Sequence, residues 1–185
     1  MVVRETERLI IRHFIPDDWE FLLRLLNEPT FIENIEDKGV RTRDQAIAYI
    51  SHNLMGSYRV HGHGLYLVAL RNPFVPRIPA GDTGRDTLVP IGMCGLLKRD
   101  HLQDIDLGYA FLPEYWGRGF ALEAARAVLD YGRTVLGRRE VFAIAAPGNE
   151  RSIALLGKLG FVFSQLLPMP DGSGTVALYA ARLAG

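Results

Sequence analysis

The stretch from Ile105 to Leu136 constrains the fold of this chain more than any other. A strand-like run, Ile105 to Leu112, leads into Gly117-Arg118-Gly119, and a helix-like run follows at once. A strand that hands over to a helix across two glycines is one half of a βα unit. It needs a sheet neighbour for the strand and a sheet face for the helix. Such a turn leaves backbone N–H groups unpaired at the helix start, where the helix dipole adds positive charge. Glycine lets an anion approach those groups with no Cβ in the way. The junction therefore reads as a main-chain grip for a phosphate, with a pyrophosphate as its natural ligand.

Two common owners of such loops do not fit. No G-x-x-x-x-G-K-[ST] run occurs, so the loop is not a P-loop. A dinucleotide fingerprint needs Gly or Ala at its third position, where this chain has Leu122, and the loop lies past the middle of the chain. A nucleotide-dependent oxidoreductase is set back accordingly.

The 185 residues suit one domain, and 48% apolar content is ample for a core. Lys plus Arg and Asp plus Glu are equal at 21 each, so no charge bias argues for nucleic acid. Cys94 is the single cysteine, which excludes an internal disulfide, and its apolar strand suggests a buried, inert thiol. No apolar run is long enough to span a membrane, and no signal-like segment follows Met1. The expected setting is the cytoplasm. His61 and His63 have the look of a metal pair, but no third ligand lies nearby and a flexible loop is the expectation.

The pattern predicts a strand at Glu7–Phe14, then a helix opened by Pro16-Asp17-Asp18 and closed by Pro29. Thr42-Arg43-Asp44-Gln45 has the form of a capping box, and its helix should end near Gly56. Strands follow at 64–71, 89–99 and 104–112. The helix Phe120–Leu136 should turn Ala121, Ala124, Ala125, Val128, Gly132 and Val135 inward and Glu123 outward. A strand at 140–146, a helix at 149–159 closed by Gly160, and strands at 161–167 and 175–183 complete the chain. The order β-α-α-β-β-β-α-β-α-β-β mixes hairpins with βα units, which gives a mixed sheet. Residues 72–90, rich in Pro, read as an extended hairpin loop: either a cover for the active site or a partner, or a tolerated surface insertion.

Tyr115 to Ala121 resembles the acetyl-CoA loop of the GNAT superfamily of N-acetyltransferases. The run from Pro113 to Ala124 is similar to the branch containing the ribosomal-protein (Rim-type) N-terminal acetyltransferases. Three further segments look like that branch in the right order. They are Thr6–Arg12, Asp106-Leu107-Gly108-Tyr109, and Asn149-Glu150-Arg151-Ser152 with Leu155 and Leu159-Gly160-Phe161. The resemblance implies a single α/β (α+β) domain over 1–185, with a mixed, mostly antiparallel sheet of seven strands flanked by helices. It also implies an acetyl-CoA-dependent N-acetyltransferase acting on a primary amine by direct attack in a ternary complex. The acceptor would be a protein N-terminus or a small amine, and the protein a monomer or homodimer. A non-catalytic acyl-CoA-binding sensor of the same fold is the alternative.

Site residues follow from the same resemblance. Main-chain groups of Phe111 and Leu112 would bond the pantetheine arm. Amides around Gly117, Arg118, Gly119, Phe120 and Ala121 would hold the pyrophosphate, and Trp116 is either a core anchor or a wall beside the cofactor. The Arg118 side chain either adds charge there or is a solvated surface arginine. Glu114 is expected to face solvent, because a carboxylate aimed at a pyrophosphate is unfavourable. Asn149 either caps its helix, contacts the pantetheine arm, or does both. Ser152 would protonate the departing thiolate or hold its sulfur, or else be a solvent-facing helical serine, and Asp106 would be the base, through water, or else a surface carboxylate beside Asp104. Glu33, Asp37 and His101 are lesser candidates, and the acidic segment Phe31–Arg41 would line the acceptor site.

Overall fold

The computed structural model describes residues 1–71, 88–169, 172 and 174–183. Eight strands form one sheet in the order β1-β2-β3-β4-β5-β6-β8-β7: β1 Val2–Glu5, β2 Leu9–Arg12, β3 Leu65–Leu70, β4 Val89–Leu97, β5 Asp106–Phe111, β6 Glu140–Ala145, β7 Val162–Pro168 and β8 Thr175–Arg182. Every pairing is antiparallel except β5 with β6. The mixed, mostly antiparallel sheet is the one the sequence implies, with one strand more. Where a single strand was expected from Glu7, the chain forms a hairpin of β1 and β2. Its turn is closed by Thr6 Oγ1, which accepts the Leu9 N–H at 3.0 Å.

Helices α1 (Trp19–Leu26), α2 (Pro29–Asn34), α3 (Arg43–Tyr49) and α4 (Met55–His61) lie between β2 and β3 in sequence. The first helix ends at Leu26, ahead of Pro29 as expected, and Pro29 also begins a further helix. Proline suits the first helical position, where its missing N–H is no loss. The Thr42 capping box forms as expected: Thr42 Oγ1 accepts from Gln45 N at 3.3 Å, and Gln45 Oε1 accepts from Thr42 N at 3.1 Å. The helix does not stop near Gly56. It runs through a π turn at Ile50–Leu54 into α4 and ends at Gly62, whose φ of 74° is the left-handed cap. One helical glycine costs only about 1 kcal/mol, too little to end a helix packed on a core.

The sheet separates two cores. Strand alternation sends Tyr66 and Val68 of β3 to one face and Leu67 and Ala69 to the other. The first face packs against α5 (Phe120–Thr134) and α6 (Glu150–Lys158), the second against α1, α2 and α3. Helix α5 buries Ala124, Ala125, Val128, Leu129 and Gly132, and a Cβ on Gly132 would meet Leu96 Cδ1 at 2.8 Å, so the helix lies close on β4. Val135 is 57% exposed, against expectation, because the helix ends at Thr134. Gly160 caps α6 with φ 83°, and Cys94 is fully buried, as expected. Residues 72–87 of the Pro-rich loop lie outside the described residues. No helix among the described residues is long and apolar enough to cross a membrane.

Arg12 and Asp18 fix the entry to the helical layer. Both are buried, and the guanidinium binds the carboxylate through two bonds of 2.7 Å. Asp18 also accepts the Ile15 N–H at 2.8 Å, which shapes the turn into α1. Removing one member of a buried pair strands the other charge. Asp18→Ala is expected to lower stability to urea by about 3–5 kcal/mol, whereas the double change R12M/D18L should cost much less. Equal losses in the two variants would show that the pair is not the anchor.

Candidate active site

The site is built around a gap in the sheet. Strands β5 and β6 pair at one position only, Asp106 with Phe142, where Phe142 N–H donates to the Ile105 carbonyl at 3.0 Å. Beyond that bridge they part. Alternation along β5 then decides which groups face the gap. Leu112 N–H bonds the Ile91 carbonyl of β4 at 3.0 Å, so the main chain of Tyr109 and Phe111 points the other way, into the seam. The result is an open strand edge inside a sheet, which suits an extended ligand that carries amides of its own.

The glycine loop sits at the end of this edge. Gly117 and Gly119 have φ of 73° and 80°, a region that L side chains rarely adopt, and Gly119 is the N-cap of α5. A Cβ at Gly117 would meet nothing within 4 Å, so conformation, and not space, calls for glycine there. The N–H groups of Phe120, Ala121 and Leu122 have no intrahelical acceptor. Glu114 turns away to Arg24 of α1, and its carboxyl is exposed, as expected. The Arg118 side chain is exposed and its guanidinium lies 6.0 Å from the Tyr115 ring centroid.

Trp116 crosses the mouth of the seam. Its indole N–H donates to the Phe111 carbonyl at 2.8 Å, and the Arg151 guanidinium of α6 stacks 4.9 Å from its ring. Leu112 is committed elsewhere: besides its bond to β4, its carbonyl accepts the Tyr115 N–H at 3.0 Å. Among the described residues this leaves Phe111 N–H and the main chain of Tyr109 without a strand partner on the seam side.

Asn149 caps α6, its Oδ1 accepting the Ser152 N–H at 3.1 Å. That bond fixes the first turn and places the Ser152 hydroxyl against β5. There Tyr109 Oη lies 2.7 Å from Ser152 Oγ and 3.3 Å from the Ser152 carbonyl. Tyr109 stood in the sequence only as part of a strand motif. Nothing in residue type alone distinguishes it from a core tyrosine, and only the strand register turns it toward α6.

Asp106 is fully buried, its side chain on the opposite face from Tyr109 by strand alternation. Arg99 Nε donates to both carboxylate oxygens, at 3.1 and 3.0 Å. Burial raises the Asp106 pKa, and the charge and hydrogen bonds of Arg99 work against that rise. Of the lesser candidates, Glu33 and His101 are exposed, and Asp37 pairs with Arg41 at 2.6 Å. Glu36 pairs with Lys38. His63 is not loop-like: it is buried, with Nδ1 2.7 Å from the Leu96 carbonyl, and burial lowers its pKa. No group of three or more metal-binding side chains occurs among the described residues.

The signal that sequence reading misses most is a clamp outside the seam. Glu123, expected on the solvent face of α5, accepts from Thr6 Oγ1 at 2.6 Å, Arg8 N–H at 3.1 Å and Arg8 Nε at 2.7 Å. Arg8 also donates to the Arg118 carbonyl at 3.0 Å and stacks 4.6 Å from the Phe120 ring. The β1–β2 turn thus holds the glycine loop and the first turn of α5 together, and neutralises the carboxylate nearest the loop.

Residues 8–162 match the family model described as acetyltransferase (GNAT) domain. The chain belongs to the GNAT acetyltransferases. Among curated relatives, it is 29% identical over 161 residues to an uncharacterized N-acetyltransferase, YoaA of Bacillus subtilis, covering 86% of this chain and 82% of that one. It is 45% identical over 71 residues to spermidine N(1)-acetyltransferase of Escherichia coli, 38% of each chain. The match to YkkB of B. subtilis, 35% over 79 residues, takes in 46% of that protein, so the chain spans about half the length of that relative. The fold is also that of RimL, a ribosomal L7/L12 alpha-N-protein acetyltransferase solved with coenzyme A, with a TM-score of 0.78 at 14% identity over 99% of this chain and 98% of that one. The family's acyl donor is acetyl-CoA, and the groups present suit it: left-handed glycines and free helix N–H groups for phosphates, and an open strand edge for an amide-bearing arm.

The clamp carries a testable consequence. Arg8→Ala and Glu123→Gln should each raise KM for acetyl-CoA about fivefold, the equivalent of about 1 kcal/mol for a partly exposed pair, with kcat unchanged. Burial alone would raise the Glu123 pKa, but the bonds from Thr6 and Arg8 outweigh it and leave it below the ordinary 4.5. Stability from the clamp is therefore complete above 4.5 and lost as pH falls through the lowered value. In acid unfolding, the advantage of the wild type over Glu123→Gln should vanish there. An advantage that persists to the lowest pH would mean the carboxylate is not the source.

Proposed function

We propose that this protein transfers the acetyl group of acetyl-CoA to a primary amine by direct attack within a ternary complex. One observation carries the reading: the open edge of β5 runs from the phosphate-binding turn at Gly117–Gly119 to a hydroxyl pair, Tyr109 and Ser152, set across the seam. The cofactor supplies an activated acetyl thioester, and the chain supplies position and proton control.

Amides of Gly117 to Ala121 hold the pyrophosphate, and Phe111 N–H with Tyr109 holds the arm. Asn149 keeps the α6 turn in register and can also face the arm. Ser152 meets the sulfur at the far end. Asp106 takes the amine proton through water from the other face of the sheet. Its raised pKa makes it a better base near neutrality than an exposed carboxylate. The rate should fall as pH drops through that raised value, since only the ionised form accepts a proton.

The acceptor is a primary amine of low charge, and a protein N-terminus fits better than a polyamine. Among the described residues, two of the three acids of the acceptor segment carry cations, Glu36 with Lys38 and Asp37 with Arg41. Little field remains to draw a polycation. A panel of amines with thiol-release detection tests this, and peptides with a free α-amine should outrun spermidine. Faster turnover of spermidine would overturn the acceptor assignment and leave the acetyl transfer standing.

Thermal unfolding with acetyl-CoA at about a hundred times its dissociation constant should show about 2.7 kcal/mol of stabilisation, with none from NAD or ATP. Ser152→Ala should lower kcat by roughly 10–100-fold and Asp106→Asn by about 100-fold or more. Stabilisation by acetyl-CoA with no transfer to any amine would mark a sensor.

A further inference from the structure

Tyr109 has a role beyond lining the seam. It projects from β5 at the point where the ladder to β6 has ended, and its Oη reaches Ser152 Oγ at 2.7 Å. Ser152 is therefore held from two sides, its N–H by Asn149 and its hydroxyl by Tyr109. A phenol O–H is a stronger donor than an alkyl hydroxyl. Either hydroxyl can donate in this pair; with the phenol as donor, the single serine proton is free to turn into the seam.

We propose that Tyr109 is a positioning residue for acetyl transfer: its phenol donates to Ser152 Oγ and so aims the Ser152 O–H at the sulfur that leaves. The proposal rests on the assignment of Ser152 given above. As the new C–N bond forms, the C–S bond breaks and its electron pair departs on sulfur. Ser152 O–H donates a hydrogen bond to that sulfur, and Tyr109 O–H donates to Ser152 Oγ, so each bond strengthens the next. Neither residue gives up its proton. The amine proton passes through water to Asp106, and the thiolate leaves as an anion held by the Ser152 hydrogen bond and takes its proton from solvent. Burial keeps the phenol protonated throughout, raising its pKa to about 12.

The pair also explains the exposure of the two residues. Tyr109 and Ser152 are both half-buried, shielded enough to strengthen the hydrogen bonds and open enough for a ligand to reach the serine.

Tyr109→Phe keeps the ring and removes only the donor. It should lower kcat about tenfold, with KM for acetyl-CoA within twofold of wild type and the same thermal shift on acetyl-CoA binding. The double variant Y109F/S152A should be no slower than Ser152→Ala alone, because the tyrosine acts through the serine. A residue with a merely structural role would raise KM or lower melting temperature, and its effect would add to that of Ser152→Ala. Additive losses would overturn the proposal, and so would a normal kcat for Tyr109→Phe beside a slow Ser152→Ala. A normal kcat for Ser152→Ala would instead remove the assignment of Ser152, and the role of Tyr109 with it.

Discussion

The site depends on a hydrogen-bond ladder that is allowed to stop. Buried backbone groups are almost always paired, so a sheet that opens in its middle is costly unless something fills the opening. Here β5 and β6 meet at Asp106 and Phe142 and then separate. The groups that would have bonded β6 are left for Trp116 at the mouth, which takes the Phe111 carbonyl, and otherwise stand open to a ligand. The rest of the sheet is paired across β2, β3, β4 and β5 on one side of the gap and β6, β8 and β7 on the other, with register shifts only at Val68/Ala69 and Phe163/Gln165. Two rigid half-sheets, each with its own ladder, keep the seam open without strain at the seam itself.

Rigidity at the phosphate end comes from a different source. A left-handed glycine turn has little stiffness of its own, and the cost of ordering it would fall on ligand binding. The β1–β2 turn carries that cost before any ligand arrives. Arg8 reads the Arg118 carbonyl, the Phe120 ring and Glu123 at once, so the loop, the helix start and the sheet edge move as a unit. The eighth strand has a purpose in this light. Strand β1 pairs with β2 and brings Thr6 and Arg8 to the helix that a shorter sheet would leave unsupported.

Much of this was legible in the residues, for physical reasons that differ from element to element. The strand–glycine–helix junction was legible because positive φ at a helix start demands a particular residue type. The Gly160 cap was legible for the same reason, and the Thr42 capping box because a helix start calls for a side-chain oxygen to accept an unpaired N–H. Gly56 misled because it is judged by average propensity, which a packed layer overrules, and the helix that begins at Pro29 went unseen because proline suits a first helical position as well as the stretch after a last one. Glu123 misled because helical periodicity gives a face and not a neighbour, and its neighbour comes from residues 115–117 positions away in sequence. Tyr109 was invisible as a functional group because its meaning lies in strand register. A one-residue slip along β5 would send it to the helical layer of α1, α2 and α3 and bring Gly108 to Ser152.

The same register separates the two proton tasks of the proposed reaction. Residues of β5 alternate faces, so Asp106 and Tyr109, three apart, fall on opposite sides of the sheet. A base on one face and a hydroxyl pair on the other cannot exchange a proton directly; whatever passes between them must go through the seam. Arg99 adds to this division. By pairing with Asp106 it keeps a buried carboxylate from standing alone. A buried ion pair gains little stability for its own sake. Its worth here is electrostatic: Asp106 is retained in a buried position, raised in pKa by burial and restrained by its partner. The chemistry of the two faces is thus set by one six-residue strand and by the alternation that every strand obeys.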